Sequence, residues 1–148
     1  MQIDRVCISI NNRCNLSCKY CHFHEKKDVI KNDTMDVFEI LDNIIKYIES
    51  KDIKLFKIGF VGNGEPLLEY NALKEYILYI SGYIKQDRIM AYSITNGLLL
   101  NEDMIKFFAK NNVNLGFSID GTEKIHDMYR CNTPVSYTHL TLPTSDLV

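Results

Sequence analysis

The sequence predicts an α/β fold in which the strands of a parallel sheet alternate with helices. Short apolar runs of strand length alternate with longer segments in which apolar residues recur at helical spacing. A polar or glycine-containing cluster follows each short run. The chain has 148 residues, of which 46% are hydrophobic and 24% charged, so its size and composition are those of one globular domain.

The first strand and the first helix are predicted within residues 6–50. The apolar run from Val6 to Ile10 has strand length, and Thr34 to Ser50 repeats apolar residues at the helical period. Asp33 or Thr34 can cap the first turn of this helix, and the helix dipole favours Asp36 within that turn.

The rest of the chain repeats the same alternation. The second strand is Leu55 to Val61, the third is Ile89 to Thr95 and the fourth is Val113 to Ile119. Asn71 opens a helix between the second and third strands, and Asn101 caps a helix between the third and fourth. The helix after Asn71 has one apolar face, formed by Leu73, Ile77, Ile80 and Ile84. Connections of this length suit right-handed crossovers between parallel strands.

Four polar clusters follow the four strands. They are CNLSCKYC at residues 14–21, GNGEP at 62–66, TNG at 95–97 and SIDG at 118–121. In parallel α/β sheets and barrels the carboxyl ends of the strands share one face, and ligands bind there. We therefore expect the four clusters to converge on one site.

The first cluster holds three cysteines, Cys14, Cys18 and Cys21, within eight residues. Thiolates are soft ligands that suit zinc or iron–sulfur clusters, and in a reducing compartment such a group favours metal binding over disulfides. One interpretation is a zinc site completed by His22 or His24. The other is a four-iron cluster with one iron open to an exogenous ligand, which the position of all three thiols on one loop favours.

Other features limit the class of protein. Cys7 lies in an apolar run and is interpreted as a small buried hydrophobe. The formal net charge of -2 leaves no basic excess to neutralise phosphates, so no nucleic-acid partner is expected. The sequence has neither a secretion signal nor an apolar run of membrane-spanning length, so we expect a cytoplasmic protein without a membrane partner.

The loop CNLSCKYC has the pattern C-x3-C-x2-C with Tyr20 before the last cysteine, and it resembles the cluster loop of the radical S-adenosylmethionine (radical SAM) enzymes. GNGEP resembles the GEP motif of that family, and TNG and SIDG stand where the family places ligand-contacting residues. The run from SITNGLLL to SIDGTEKIHDMYR is similar to the peptide-modifying branch, which includes the anaerobic sulfatase-maturating enzymes and their SPASM-type relatives with a cysteine-rich extension. The resemblance covers residues 3–131 and implies a partial (β/α) barrel of about six units, of which about four are present here.

The resemblance also implies a role for each site residue. Cys14, Cys18 and Cys21 would each ligate one iron of a [4Fe–4S] cluster, and S-adenosylmethionine would bind the fourth iron. Gly64, Glu65 and Pro66 would hold the methionine amino group, and Tyr20 would lie near the adenine. Contacts to the methionine carboxylate or the ribose would come from Ser93, Asn96 and Ser118.

The implied reaction begins with one electron from a flavodoxin- or ferredoxin-type donor. Reductive cleavage of S-adenosylmethionine would give a 5′-deoxyadenosyl radical that abstracts hydrogen from a peptide or protein substrate. An alternative with the same core is an activase that makes a glycyl radical on a partner enzyme. An alternative of another class is a non-catalytic zinc-binding module.

The segment VSYTHLTLPTSDLV at residues 135–148 breaks the alternating pattern. VSYTHLTLPT back-translates in one frame to the transposon end and primer site of a common sequencing library. We therefore expect residues 1–134 to be the N-terminal part of the radical SAM core and residues 135–148 to be an adapter-derived tail. Such a chain, taken alone, is expected to turn over little or nothing, and resequencing the native locus would test the origin of the tail.

Overall fold

The fold is described from a computed structural model, for residues 2–22 and 36–130. Strands and helices alternate along the chain, as the sequence predicts. The strands are β1 (Arg5–Ile8), β2 (Phe56–Phe60), β3 (Ile89–Thr95) and β4 (Asn114–Phe117). The helices are α1 (Val37–Ser50), α2 (Tyr70–Tyr79), α3 (Ser81–Lys85), α4 (Glu102–Lys110) and α5 (Glu123–Tyr129), with a 3₁₀ turn at Pro66–Glu69 before α2.

The four strands form one parallel sheet in the order β1-β2-β3-β4. Ile8 pairs with Phe60, Phe60 with Ser93, and Thr95 with Phe117. These pairs align the carboxyl ends of all four strands at one edge of the sheet. The predicted α/β class with parallel strands is confirmed.

The core lies between one face of the sheet and the helices. Strand β3 alternates, because Ile89 and Ala91 are buried whereas Met90 and Ile94 are 39% and 45% exposed. The buried residues of the strands pack with helix residues in a single cluster that includes Ile8, Leu41, Ile48, Ile58, Phe60, Leu73, Ile77 and Phe108. The predicted apolar face of the second helix is confirmed, since all four of its residues are buried.

The prediction that Cys7 is buried is wrong. Ile8 points into the core, so its neighbour Cys7 points to the opposite face of β1, where it is exposed. The Cys7 Sγ lies 3.5 Å from the Tyr92 hydroxyl oxygen. Cys7 pairs with Gly59 of β2, whose missing side chain leaves room for Tyr92 of β3 to reach Cys7.

The helix boundaries differ from the prediction at two places. The segment expected as one helix from Asn71 onward is interrupted at Ile80, which separates α2 from α3. Ser81 and Gly82 follow Ile80, and both residue types are weaker helix formers than alanine or leucine. Helix α1 begins at Val37 with Asp36 as its N-cap, the side chain accepting from the Phe38 N–H at 2.9 Å. The predicted caps Asp33 and Thr34 lie outside the described residues.

Asn101 is the N-cap of α4, as predicted, and its Oδ1 accepts from the Met104 N–H at 2.9 Å. Replacing Asn101 with alanine is expected to lower the free energy of unfolding by about 1 kcal/mol, because this N–H loses its partner. The change is measured by urea unfolding. The matched control is Asn101→Asp, which keeps an accepting oxygen and should remain close to the unsubstituted chain. Equal losses in both variants would contradict a capping role.

In residues 2–22 and 36–130, every helix is too short or too polar to cross a lipid bilayer.

Candidate functional site

A cavity of about 490 Å³ opens at the carboxyl edge of the sheet. Each of the four polar clusters contributes to its wall, so the predicted convergence is confirmed. The wall includes Cys14, Cys18, Tyr20, Cys21, His22, Gly62, Asn63, Gly64, Glu65, Thr95, Asn96, Ser118 and Arg130. The rule that parallel strands present their carboxyl ends to ligands explains why residues so distant in sequence meet here.

The three thiols of the first loop line this cavity, but they do not surround a single point as the ligands of one metal ion would. A turn closes between Cys18 and Cys21, where the Cys21 N–H donates to the Cys18 carbonyl at 3.0 Å. Cys14 Sγ accepts from the Leu16 N–H at 3.4 Å. In the described part of the chain no three His, Cys, Asp or Glu side chains are close enough together to hold a metal ion. A [4Fe–4S] cluster binds each thiolate to a different iron, so it does not require three thiols around one metal ion.

Burial raises the pKa of the Cys14 thiol and of the Cys18 thiol. Both therefore favour the protonated form when no metal is present, and a bound metal would displace the proton. Three soft donors on one wall of a cavity with room for a ligand fit an iron–sulfur cluster. His22, one of the two candidate zinc ligands, also lines the cavity, whereas His24 lies outside the described residues.

Glu65 is 3% exposed, and its carboxylate is held by three donors. Oε1 accepts from the Leu67 N–H at 3.1 Å and from the Thr95 hydroxyl at 2.6 Å. Oε2 accepts from the Asn96 N–H at 2.8 Å. A buried carboxylate needs such partners, and these connect the second polar cluster directly to the third.

The backbone around Glu65 is joined to the loop that precedes Cys14. The Glu65 N–H donates to the Arg13 carbonyl at 2.8 Å, and the Asn11 amide donates to the Glu65 carbonyl at 2.9 Å. A Cβ on Gly64 would lie 2.2 Å from both the Arg13 carbonyl oxygen and Asn11 Oδ1. A glycine is therefore required here by the close approach of the chain to itself.

The predicted contacts in the third and fourth clusters differ in their placement. Asn96 and Ser118 line the cavity, and the Asn96 amide donates to Asn15 Oδ1 at 2.8 Å. Ser93 is fully buried, and its hydroxyl donates to the Phe60 carbonyl at 2.8 Å. The structure thus places Ser93 beneath the cavity wall, where its donor is already used. Pro66 is also buried and begins the 3₁₀ turn.

Tyr20 contacts residues to which the sequence assigned no individual role. Its hydroxyl donates to Asp120, and the Arg130 guanidinium lies 5.5 Å from the centre of its ring. Arg130 Nε lies 3.0 Å from Asp120 Oδ2, and the Asp120 N–H donates to His126 Nδ1 at 3.3 Å. These contacts attach the cysteine loop to the end of β4 and to α5.

The contacts around Asp120 change two pKa values. Burial and the hydrogen bond to Asp120 raise the pKa of Tyr20 to about 12. Burial of Asp120 raises its own pKa, but the hydrogen bond from Tyr20 and the positive charge of Arg130 outweigh that effect, and the net pKa is lowered. Asp120 is thus held as a carboxylate between a phenol and a guanidinium. From the sequence, Asp120-Gly121 is an ordinary turn signal, and Arg130 ends the run that resembles the peptide-modifying branch without a predicted role of its own.

Comparison with protein-family models matches residues 8–137 to the Radical SAM superfamily. This chain belongs to that superfamily. The resemblance inferred from the cysteine loop is confirmed, and enzymes of the superfamily use a [4Fe–4S] cluster and S-adenosylmethionine, the two predicted cofactors.

The relatives of this radical SAM chain include anaerobic sulfatase-maturating enzymes. It is 34% identical over 123 residues to the cysteine-type anaerobic sulfatase-maturating enzyme of Clostridium novyi, covering 81% of this chain and 33% of that enzyme. It is 33% identical to the serine-type enzyme of Bacteroides thetaiotaomicron, covering 80% of this chain and 30% of that enzyme. The chain therefore spans about a third of the length of these curated relatives.

The fold is also that of solved radical SAM structures. Native anSMEcpe with bound AdoMet (S-adenosylmethionine) superimposes with a TM-score of 0.67 at 27% identity, over 86% of this chain and 35% of that one. BtrN, at 21% identity and a TM-score of 0.61, supports the fold alone.

Proposed function

We propose that this chain holds a [4Fe–4S] cluster through Cys14, Cys18 and Cys21 and binds S-adenosylmethionine in the adjoining cavity. One observation above all supports the proposal: the three thiols, Glu65 and Asn96 line a single cavity of about 490 Å³ at the carboxyl edge of a parallel sheet. When bound, the cluster would supply an electron for reductive cleavage of S-adenosylmethionine to a 5′-deoxyadenosyl radical.

The chain's own residues would bind and orient the ligand. The Glu65 carboxylate is suited to accept a charge-assisted hydrogen bond from the methionine ammonium group. Asn96 and Ser118 add polar groups to the same wall, and Gly64 permits the loop packing that places Glu65 there. The Arg130 guanidinium, beside Tyr20 and Asp120, brings a positive charge to the same wall.

Tyr20 is suited to hold the adenine. Its hydroxyl is anchored on Asp120, and the residue remains 48% exposed and lines the cavity. An aromatic ring held at one end and open on one face can stack on a base. Tyr20 would therefore orient the adenine.

We further propose a peptide or protein as the substrate. The sulfatase-maturating relatives support this, and one related structure is native anSMEcpe with bound AdoMet and Cp18Cys peptide, which matches at 26% identity and a TM-score of 0.64. A flavodoxin- or ferredoxin-type donor is proposed as the source of the electron. Thiol ligands on an accessible loop suit the reducing cytoplasm.

Anaerobic reconstitution with iron and sulfide tests the proposal. We expect about four irons per chain with the broad visible absorbance of an iron–sulfur cluster. After reduction, added S-adenosylmethionine should yield a small amount of 5′-deoxyadenosine and methionine, measured by chromatography, because little turnover is expected of this chain alone. One colourless zinc per chain, with S-adenosylmethionine left intact after reduction, would instead establish the zinc-binding alternative.

A further inference from the structure

Among the described residues, the hydrogen bonds of Glu65 leave one acceptor position of its carboxylate unused. A carboxylate offers about four such positions, two on each oxygen. Oε1 uses both, with the Leu67 N–H and the Thr95 hydroxyl as donors. Within residues 2–22 and 36–130, Oε2 has the Asn96 N–H alone. A ligand donor that reaches Glu65 from the cavity would therefore find its free position on Oε2.

The direction of the Thr95 hydroxyl is determined by its surroundings. Thr95 is 1% exposed at the end of β3, and its Oγ1 accepts from the Gly97 N–H at 3.0 Å. An N–H group can only donate, so this bond occupies a lone pair of the hydroxyl. The hydroxyl hydrogen is then directed to Glu65 Oε1, 2.6 Å away.

Two consecutive residues thus hold the two oxygens of Glu65. Thr95 holds Oε1 through its side chain, and Asn96 holds Oε2 through its backbone. Hydrogen bonds to both oxygens prevent rotation about the Cγ–Cδ bond of Glu65, a torsion that otherwise varies broadly in glutamate. The carboxylate plane is therefore set by the end of β3.

We propose that Thr95 is a positioning residue whose hydroxyl orients the Glu65 carboxylate so that its free acceptor position receives the ammonium group of the ligand. This inference rests on the proposed function, in which that ligand is S-adenosylmethionine. Thr95 would act through Glu65, so loss of its hydroxyl should weaken binding of the amino group and leave the contacts to the rest of the ligand unchanged.

The test compares two ligands and three variants of the anaerobically reconstituted chain. The ligands are S-adenosylmethionine and an analogue in which hydrogen replaces its α-amino group. Thr95→Val removes the hydroxyl and keeps the branched shape, Thr95→Ser keeps the hydroxyl, and Glu65→Gln removes the negative charge. Equilibrium dialysis gives each Kd, and a ratio of two affinities is measurable even where both are weak.

We expect Thr95→Val to weaken the binding of S-adenosylmethionine about tenfold while changing that of the analogue less than about twofold. Thr95→Ser should restore the affinity to within about twofold of the unsubstituted chain, because its hydroxyl can make both hydrogen bonds. Urea unfolding of each variant separates lost stability from lost recognition. If Thr95→Val does not fold, Thr95→Ala provides the same comparison.

The outcomes distinguish failure of this inference from failure of the proposed function. One outcome is that Thr95→Val weakens the binding of both ligands equally, or of neither, while Glu65→Gln removes the preference for S-adenosylmethionine. In that case Thr95 does not position Glu65, and the proposed function stands. If Glu65→Gln keeps that preference, or the unsubstituted chain binds neither ligand, the proposed site is wrong and the inference fails with it.

Discussion

Replacing any one of Cys14, Cys18 or Cys21 with alanine is expected to reduce iron incorporation from about four atoms per chain to well under one. Each thiol is proposed to supply one of the three protein ligands of the cluster. His22 also lines the cavity, but it is not one of these three proposed ligands. Loss of a thiolate therefore leaves two irons without a ligand from this loop. Iron and acid-labile sulfide, measured after anaerobic reconstitution and gel filtration, test this result.

Cys7→Ala is the matched control for these variants. Cys7 is also an exposed, free cysteine, but it lies on β1 beside Tyr92 and does not line the cavity. Its removal should leave the iron content unchanged. Retention of about four irons by Cys14→Ala, Cys18→Ala and Cys21→Ala, or an equal loss in Cys7→Ala, would show that the loop is not the cluster site.

Replacing Gly64 with alanine is expected to lower the free energy of unfolding by about 2–3 kcal/mol. The added Cβ would lie 2.2 Å from the Arg13 carbonyl oxygen and 2.8 Å from the Arg13 backbone nitrogen. Backbone atoms cannot yield as a flexible side chain would, so the two loops must separate. The hydrogen bond from the Glu65 N–H to the Arg13 carbonyl would be lost with that movement. Urea unfolding, followed by circular dichroism, measures the change.

Gly82→Ala is the matched control for that experiment. Gly82 lies in α3, and a Cβ added there would meet nothing within 4 Å. Alanine is the better helix former by about 0.5–1 kcal/mol, so this variant should be slightly more stable than the unsubstituted chain. Comparable stability of Gly64→Ala and Gly82→Ala would contradict the proposed close packing of the two loops.

The order and type of the strands and helices were predictable because they depend on local patterns. The predicted strand Ile89–Thr95 has the bounds that the structure shows, and the prediction of Asn101 as a helix cap is confirmed. Capping and hydrophobic period both act over a few residues, which a sequence displays directly. The wrong predictions concern properties that depend on how the chain is arranged in three dimensions. Cys7 sits in an apolar run, yet Ile8 packs into the core, and the alternation of β1 then directs Cys7 to the exposed face.

The convergence of four distant clusters was also predictable, because parallel strands must present the same end to the same side. The contacts between side chains within the site were not predictable from the sequence. Thr95 holds Glu65 from a neighbouring strand, and Asp120 joins Tyr20 to Arg130 from the end of β4. Threonine is common in strands and aspartate before glycine is an ordinary turn signal, so neither indicates such a contact.

The sequence by itself therefore determined the alternating fold, the edge at which the site lies and the superfamily, since each follows from residue type and spacing along the chain. The tertiary structure alone decided how the site is held: which oxygen of Glu65 is left free, why position 64 must be glycine, and that Ser93 lies beneath the wall. Hydrogen-bond partners and steric contacts depend on the register between strands and on the path of each loop. That register sets distances of a few ångströms between residues about thirty or more positions apart, and local sequence does not encode them.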